Sequence, residues 1–309
     1  MSQDPLSLIR IVLVEPAGPL NVGSAARVMK NFGLQHLVLV NPQCNPLDEE
    51  ATQMAVHAKD LLHKAQIVDS IPAALEGCYS AIATTARARD INTPLELPEE
   101  ALYAMVADAI DKQGSNRQEL YPESSQPSPN GSYAVIFGPE DRGLSNEELI
   151  YAQRFVKIPT NASYSALNLA QAVAVCCYEL HRASLELEIL RDSAGTHATD
   201  SAQNLTNALR TSPISAKQTE SHSLSSLDQH APSPKPNQAK LNELEGYYQH
   251  LESVLLSVEY LYPHTAASRM RKVRQLLQRT HPTSAEVALL RGMLRQIEWA
   301  LAKHQTDSK

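Results

Sequence analysis

Short, mostly apolar runs rich in β-branched residues, each followed by a helix-forming stretch, constrain this chain more than any other feature. The first, residues 9–14, is too short for a buried helix, and a loop with Pro16, Gly18 and Pro19 leads from it into a helix predicted over about 21–31 and ended by Gly33. The pattern recurs, with strands predicted at 37–40, 66–68, 80–85, 133–137 and 155–158 and helices at about 50–64, 71–76, 98–112, 146–152 and 165–190. Strands that are apolar on both faces and alternate with helices imply a parallel sheet covered on both sides, an α/β fold. The stretch 113–132 is polar and rich in Pro and Ser, which predicts a surface insertion.

With 309 residues the chain is long enough for more than one unit, and its composition changes near residue 190. Residues 191–240 hold 14 Ser/Thr, no aromatic residue and only five Leu or Ile, too little apolar surface to offset ordering entropy, so a flexible linker is expected. Beyond it, Leu244, Tyr248, Leu251, Leu255, Val258 and Leu261 define an amphipathic helix that stops near Pro263. A second helix is expected over about 266–278. Thr283 with Glu286 has capping-box spacing and opens a third, with Val287, Leu290, Leu294, Ile297 and Leu301 on one face. The expected organisation is therefore 1–190, 191–240 and 241–309.

The net charge of −7 argues at first against a nucleic-acid partner. Counted by segment, however, residues 1–190 carry 13 basic and 23 acidic side chains, whereas 265–309 carry 9 and 3. The C-terminal part is a separate basic region. No apolar run is long enough for a membrane span and the first five residues contain no leader-like basic segment, so a cytoplasmic protein is expected. Cys44, Cys78, Cys176 and Cys177 form no CxxC pair and the 11 histidines show no ligand spacing, so reduced core thiols and no metal are expected.

Three segments carry more chemistry than a sheet scaffold needs. In residues 21–27, Asn21 and Gly23 stand at a helix N-terminus and Arg27 adds a forked cation suited to phosphate; an ordinary Asn-capped helix with a solvated arginine accounts for them equally well. Residues 137–149 follow a strong strand and place Gly138, Glu140, Arg142 and Gly143 at a carboxyl end of the sheet, where open α/β folds bind ligands. In residues 158–174 a polar loop enters a helix of small residues that suits close packing against another element or subunit. Asn168 and Gln171 interrupt it as amides that burial would oblige to find partners, in the scaffold or in a substrate. No GxGxxG after the first strand, no P-loop and no GxSxG elbow occur, which disfavours dinucleotide oxidoreductases, P-loop NTPases and α/β-hydrolases.

Taken in order and spacing, these segments resemble the three motifs of SPOUT RNA ribose methyltransferases of the TrmJ type, over about residues 8–190; Arg269, Arg271, Lys272 and Arg274 with residues 289–294 also resemble that type's C-terminal helices. The resemblance implies a parallel sheet with a C-terminal trefoil knot, a homodimer, and S-adenosylmethionine framed by Thr84, Thr85, Ala86, Gly138, Ile158, Ser165, Ala166 and Leu167. It further implies that Arg27 serves the catalytic centre, supported by Asn21, Glu140, Ser165 and Asn168, and that Arg269, Arg271, Lys272 and Arg274 contact tRNA. The implied reaction is methylation of the ribose 2′-hydroxyl of cytidine or uridine at nucleotide 32 of the anticodon loop. A ribose methyltransferase acting on another tRNA position or on ribosomal RNA, a catalytically silent RNA-binding protein of the same fold, and a nucleotide-binding regulator remain as alternatives.

Overall fold

A computed structural model describes residues 4–85, 94–115, 133–161, 163–164, 166–195, 238–278 and 280–307. The described residues up to Ser184 and those from Gln238 onward belong to one compact unit; a second begins at Leu185, and its described part is the end of a long helix.

The first unit opens with a 3₁₀ turn and β1 (Ile9–Val14), every residue of which is buried. Then follow α1 (Pro19–Asn31), β2 (His36–Val40), α2 (Glu49–Ala55), α3 (Lys59–Lys64), β3 (Gln66–Val68), α4 (Ile71–Ala74) and β4 (Ser80–Thr84). After β5 (Leu95–Glu96) come α5 (Pro98–Ser115), β6 (Tyr133–Phe137), α6 (Asn146–Leu149), β7 (Arg154–Val156) and α7 (Leu169–Gly195). The strands form a seven-stranded sheet in the order β3-β2-β1-β6-β4-β7-β5 with every pairing parallel. The α/β expectation holds.

Three local expectations need correction. The helix expected at 50–64 is two helices, separated at Val56, whose backbone is left-handed (φ 52°), and by a 3₁₀ turn whose His57 carbonyl accepts from Lys30 Nζ at 2.9 Å. Helix-forming residues run through the break, so only the tertiary contact reveals it. β5 was not expected, because a two-residue edge strand leaves no periodicity to read. Finally, the helix expected from 165 starts at Leu169. The insertion expected at 113–132 and the linker at 191–240 fall mainly on residues 116–132 and 196–237, outside those described.

The C-terminal residues fold as α8 (Leu241–Ser257), α9 (Pro263–Gln278) and α10 (Ser284–Asp307). Thr283 caps α10 as expected: its Oγ1 accepts from Glu286 N at 3.2 Å and its N–H donates to Glu286 Oε2 at 2.8 Å. These helices share the core of the sheet. Leu241, Leu244, Tyr247 and Tyr248 join Val12, Val38, Ile71, Cys78 and Ile136 in one buried cluster, and Leu241 N–H donates to the Cys78 carbonyl at 2.9 Å. None of the four cysteines is in a disulfide, and burial pushes the Cys78 and Cys176 thiols to about 11 and about 12, so these two remain protonated and inert near neutral pH.

Candidate active site

Parallel strands direct the loops that follow them to one edge of the sheet, and the three segments singled out above meet there. The start of α1 explains the first contact. Gly18 occupies the cap and Pro19 the first helical position, so Asn21 is not the cap, contrary to the Asn-capped alternative; it lies in the first turn with its side chain free to reach outward. Asn21 Nδ2 donates to Glu140 Oε1 at 2.8 Å, and the N–H groups of Ala17 and Gly18 donate to the same carboxylate at 3.1 and 3.3 Å. Asn168 Nδ2 in turn donates to Asn21 Oδ1 at 2.9 Å. An ionised carboxylate only accepts, so Glu140 fixes Asn21 with its amide nitrogen inward, and that orientation obliges Asn168 to donate. The remaining Asn168 oxygen caps α7 by accepting from Ala170 N–H at 2.8 Å, while Gln171 Oε1 accepts from Asn168 N–H at 3.2 Å. Asn168 and Gln171 are both exposed, so they are capping groups and not the buried amides expected from sequence.

Burial of the Glu140 carboxyl works to raise its pKa, but the donors on Asn21, Ala17, its own backbone and Gly18 prevail and hold it below the usual carboxylate range. Beside it, Arg142 donates to both oxygens of Glu148 at 2.8 and 2.9 Å and to Glu15 Oε2 at 2.7 Å. The bonds to Glu148, then those to Glu15, hold the Arg142 guanidinium further above its ordinary pKa. Glu15 follows β1 in a left-handed conformation (φ 47°), a conformation that non-glycine residues hold only when their surroundings fix them. Ser145 and Glu148 close a reciprocal capping box at the start of α6. Arg142 thereby ties β1 to the 138–145 loop. Sequence reasoning placed Arg142 in the right loop but missed its role and missed Glu15; the signal was an acidic residue directly after the first buried strand.

That loop folds back tightly. Gly143 N–H donates to the Pro139 carbonyl at 2.9 Å with Gly143 itself left-handed (φ 64°), and a Cβ on Gly138 would stand 2.3 Å from Leu144 N. Only glycine allows this approach. The result is a cleft of about 160 Å³ lined by Thr84, Thr85, Gly138, Ile158, Ala166 and Leu167 together with Glu140 and Arg142. Six of the eight residues expected to frame a cofactor thus line one cleft; Ala86 and Ser165 lie outside the described residues. A larger cavity of about 530 Å³, lined by Arg10, Lys30, His36 and Lys64, sits by the amino ends of β1 to β3, away from this site. Arg27 is exposed on α1 and is absent from both the cleft lining and the hydrogen-bond chain. Among the described residues no cluster of three or more His, Cys, Asp or Glu could hold a metal ion, and no helix is long and apolar enough to cross a membrane.

On α9, Arg269 and Lys272 are exposed and Arg271 is partly buried. Arg274 departs from expectation. It is 8% exposed, pairs with both oxygens of Glu245 at 2.5 and 2.9 Å, and stands 4.4 Å from the Tyr248 ring centroid, so its charge is satisfied inside the protein and it is not a phosphate contact.

The profile of the SpoU rRNA Methylase family matches residues 8–178, and that of the C-terminal domain of the tRNA methyltransferase TrmJ matches 242–307. The chain belongs to the SpoU methylase family, in its TrmJ branch. The tRNA (cytidine/uridine-2′-O-)-methyltransferase TrmJ of Pectobacterium atrosepticum is 34% identical over 293 residues, spanning 95% of this chain and 98% of that protein. The protein of the same name from Klebsiella pneumoniae is 35% identical over 95% of this chain and 97% of its own length. The crystal structure of TrmJ from Z. mobilis ZM4 superposes with a TM-score of 0.65 at 26% identity, covering 94% of this chain and 98% of that one. As a SpoU methylase the protein is a methyltransferase, and the braced cleft is its candidate active site.

Proposed function

We propose that the protein transfers a methyl group from S-adenosylmethionine to the ribose 2′-hydroxyl of cytidine or uridine at nucleotide 32 of tRNA. The observation that carries this reading is the chain Asn168–Asn21–Glu140 at a glycine-dependent cleft, which links all three motif segments into one site. The tRNA named for the curated relatives favours tRNA over ribosomal RNA.

The cleft suits the cofactor because residues of the tightly folded 138–144 loop line it, and a Cβ at Gly138 would collide with that loop's own backbone. Thr84, Thr85, Gly138, Ile158, Ala166 and Leu167 would hold S-adenosylmethionine, with Ala86 and Ser165 completing the set by resemblance. When bound, its sulfonium supplies a methyl group on a good leaving group, which leaves the protein mainly to align the hydroxyl and manage its proton. Arg27 cannot serve as the base, because a guanidinium carries its proton throughout the pH range in which proteins work. We assign it to positioning the ribose or an adjacent phosphate and to stabilising developing negative charge on the 2′-oxygen. Glu140 is equally unsuited to accepting the proton: its carboxylate is engaged by three donors and held below the usual range. Its role, shared with Asn21 and Asn168, is to brace the site, with Ser165 joining them by resemblance.

In this reading the C-terminal part of the sheet is threaded into a trefoil knot and the working enzyme is a cytoplasmic homodimer. The chain is organised as a methyltransferase domain (1–190), a linker (191–240) and a basic helical region (241–309), from which Arg269, Arg271 and Lys272 contact tRNA. Incubation with methyl-labelled S-adenosylmethionine and total tRNA tests the reaction. Label recovered in 2′-O-methylated cytidine or uridine is expected; tRNA left unlabelled would overturn the proposal.

A further inference from the structure

The turn between α8 and α9 presents aromatic rings in an arrangement that the catalytic reading leaves unexplained. Glu259 takes a left-handed backbone (φ 59°) just after α8, and the next three residues alternate outward, inward, outward. Tyr260 is 62% exposed, Leu261 is buried, and Tyr262 is 50% exposed. Neither tyrosine hangs loosely. Arg269 Nη1 donates to the Tyr260 carbonyl at 2.9 Å and its guanidinium stands 5.7 Å from the Tyr260 ring centroid. The Tyr262 ring lies nearly parallel to that of His264, with centroids 6.0 Å apart and planes 20° apart, and the Tyr262 carbonyl accepts the N–H groups of Thr265 and Ala266 in the first turn of α9.

Exposed rings held between a buried Leu261 and the neighbouring Arg269 and His264 side chains lose less freedom than loose ones when a flat partner stacks on them. Past the exposed Glu259 the charge favours an anionic partner: residues 260–278 contain no acidic side chain, and α9 carries the exposed Arg269 and Lys272. We infer that this turn is a stacking platform for unpaired bases of the tRNA, with Tyr260 and Tyr262 as the base-contacting rings and Arg269 as the group that sets the first. The inference deepens the tRNA reading and rests on it. A flat aromatic face beside fixed cations is the combination that binds single-stranded nucleic acid, and every base offers a face to stack. A duplex offers none along its length.

The test measures affinity of the full chain for unmodified tRNA, and for a blunt RNA duplex of similar size, across a salt series. Tyr260→Ala with Tyr262→Ala should weaken tRNA binding by about 30-fold or more, since each ring stacks one base. The slope of log affinity against log salt should not change, because no phosphate contact is removed. Duplex binding should also stay as in the unsubstituted protein, and Tyr260→Phe with Tyr262→Phe should restore tRNA affinity. Thermal unfolding should shift little, since both rings are exposed. Unchanged tRNA affinity, an equal loss on duplex, or a change in oligomeric state without a change in RNA affinity would each overturn the inference. Failure of the parent reading is separable: it shows as absence of methyl transfer by the unsubstituted enzyme, whatever these variants do.

Discussion

Replacing Gly138 by alanine isolates the loop that shapes the cleft. The added Cβ would lie 2.3 Å from Leu144 N, 2.5 Å from Gly143 C and 2.9 Å from Gly143 Cα, all backbone atoms that no rotamer change can move away. Relieving contacts more than about 1 Å too short requires the loop to open, and overpacking of this kind costs about 1–3 kcal/mol. If the closed loop is the form that binds the cofactor, that cost weakens binding by roughly 5-fold to 150-fold. Two other glycines provide contrast. At Gly143 an added Cβ meets nothing within 4 Å, so only the left-handed backbone is penalised, by about 1–2 kcal/mol. At Gly23 the Cβ would stand 2.2 Å from the Ala51 carbonyl oxygen, where α1 packs on α2, so the loss should fall on thermal stability. Titration calorimetry with S-adenosylhomocysteine, alongside thermal unfolding, should rank Gly138→Ala worst for binding and Gly23→Ala worst for melting temperature. Wild-type cofactor affinity in Gly138→Ala would refute the account of the cleft.

Other expectations follow from single contacts. Arg274→Ala leaves the half-buried Glu245 without this partner and should destabilise the fold by about 2–4 kcal/mol in denaturant unfolding, while leaving the salt dependence of tRNA binding unchanged. Glu140 is held below its ordinary pKa in the folded protein, so its stabilising contribution is full above the unfolded carboxyl pKa and is lost as pH falls through the folded value; Glu140→Gln should flatten this acid limb in pH-dependent unfolding and slow methyl transfer. Arg27→Ala should abolish methyl transfer with cofactor affinity retained, measured by single-turnover kinetics and calorimetry, because Arg27 is exposed and does not line the cleft.

Much of this architecture was legible because burial on both faces of a parallel strand leaves a continuous apolar run; β1, β3 and β6 begin and end where those runs do. Boundaries set by tertiary contact were not legible. Asn21 reads as a cap until Gly18 and Pro19 are seen to start the helix, and Asn168 reads as helix interior until its oxygen is found on Ala170 N–H. The three site segments were each visible, yet 119 residues separate Asn21 from Glu140 and 147 separate it from Asn168, and no local pattern records a bond across such spans. Charge was the least faithful guide. Five basic residues from Arg269 to Arg279 suggest a uniform phosphate-binding face, but periodicity turns Arg274 inward to Glu245. The deletion of 241–309 that the charge pattern invites would also strip Leu241, Leu244 and Tyr248 from the shared core, so point substitutions are the sounder probe.

The central claim is that this site methylates one ribose oxygen in tRNA, and two tRNA transcripts that differ only by that oxygen test it most directly. Labelled S-adenosylmethionine should methylate the transcript with a ribose at nucleotide 32 and leave the 2′-deoxy counterpart unlabelled. Equal labelling of both transcripts, or of neither, would contradict the account.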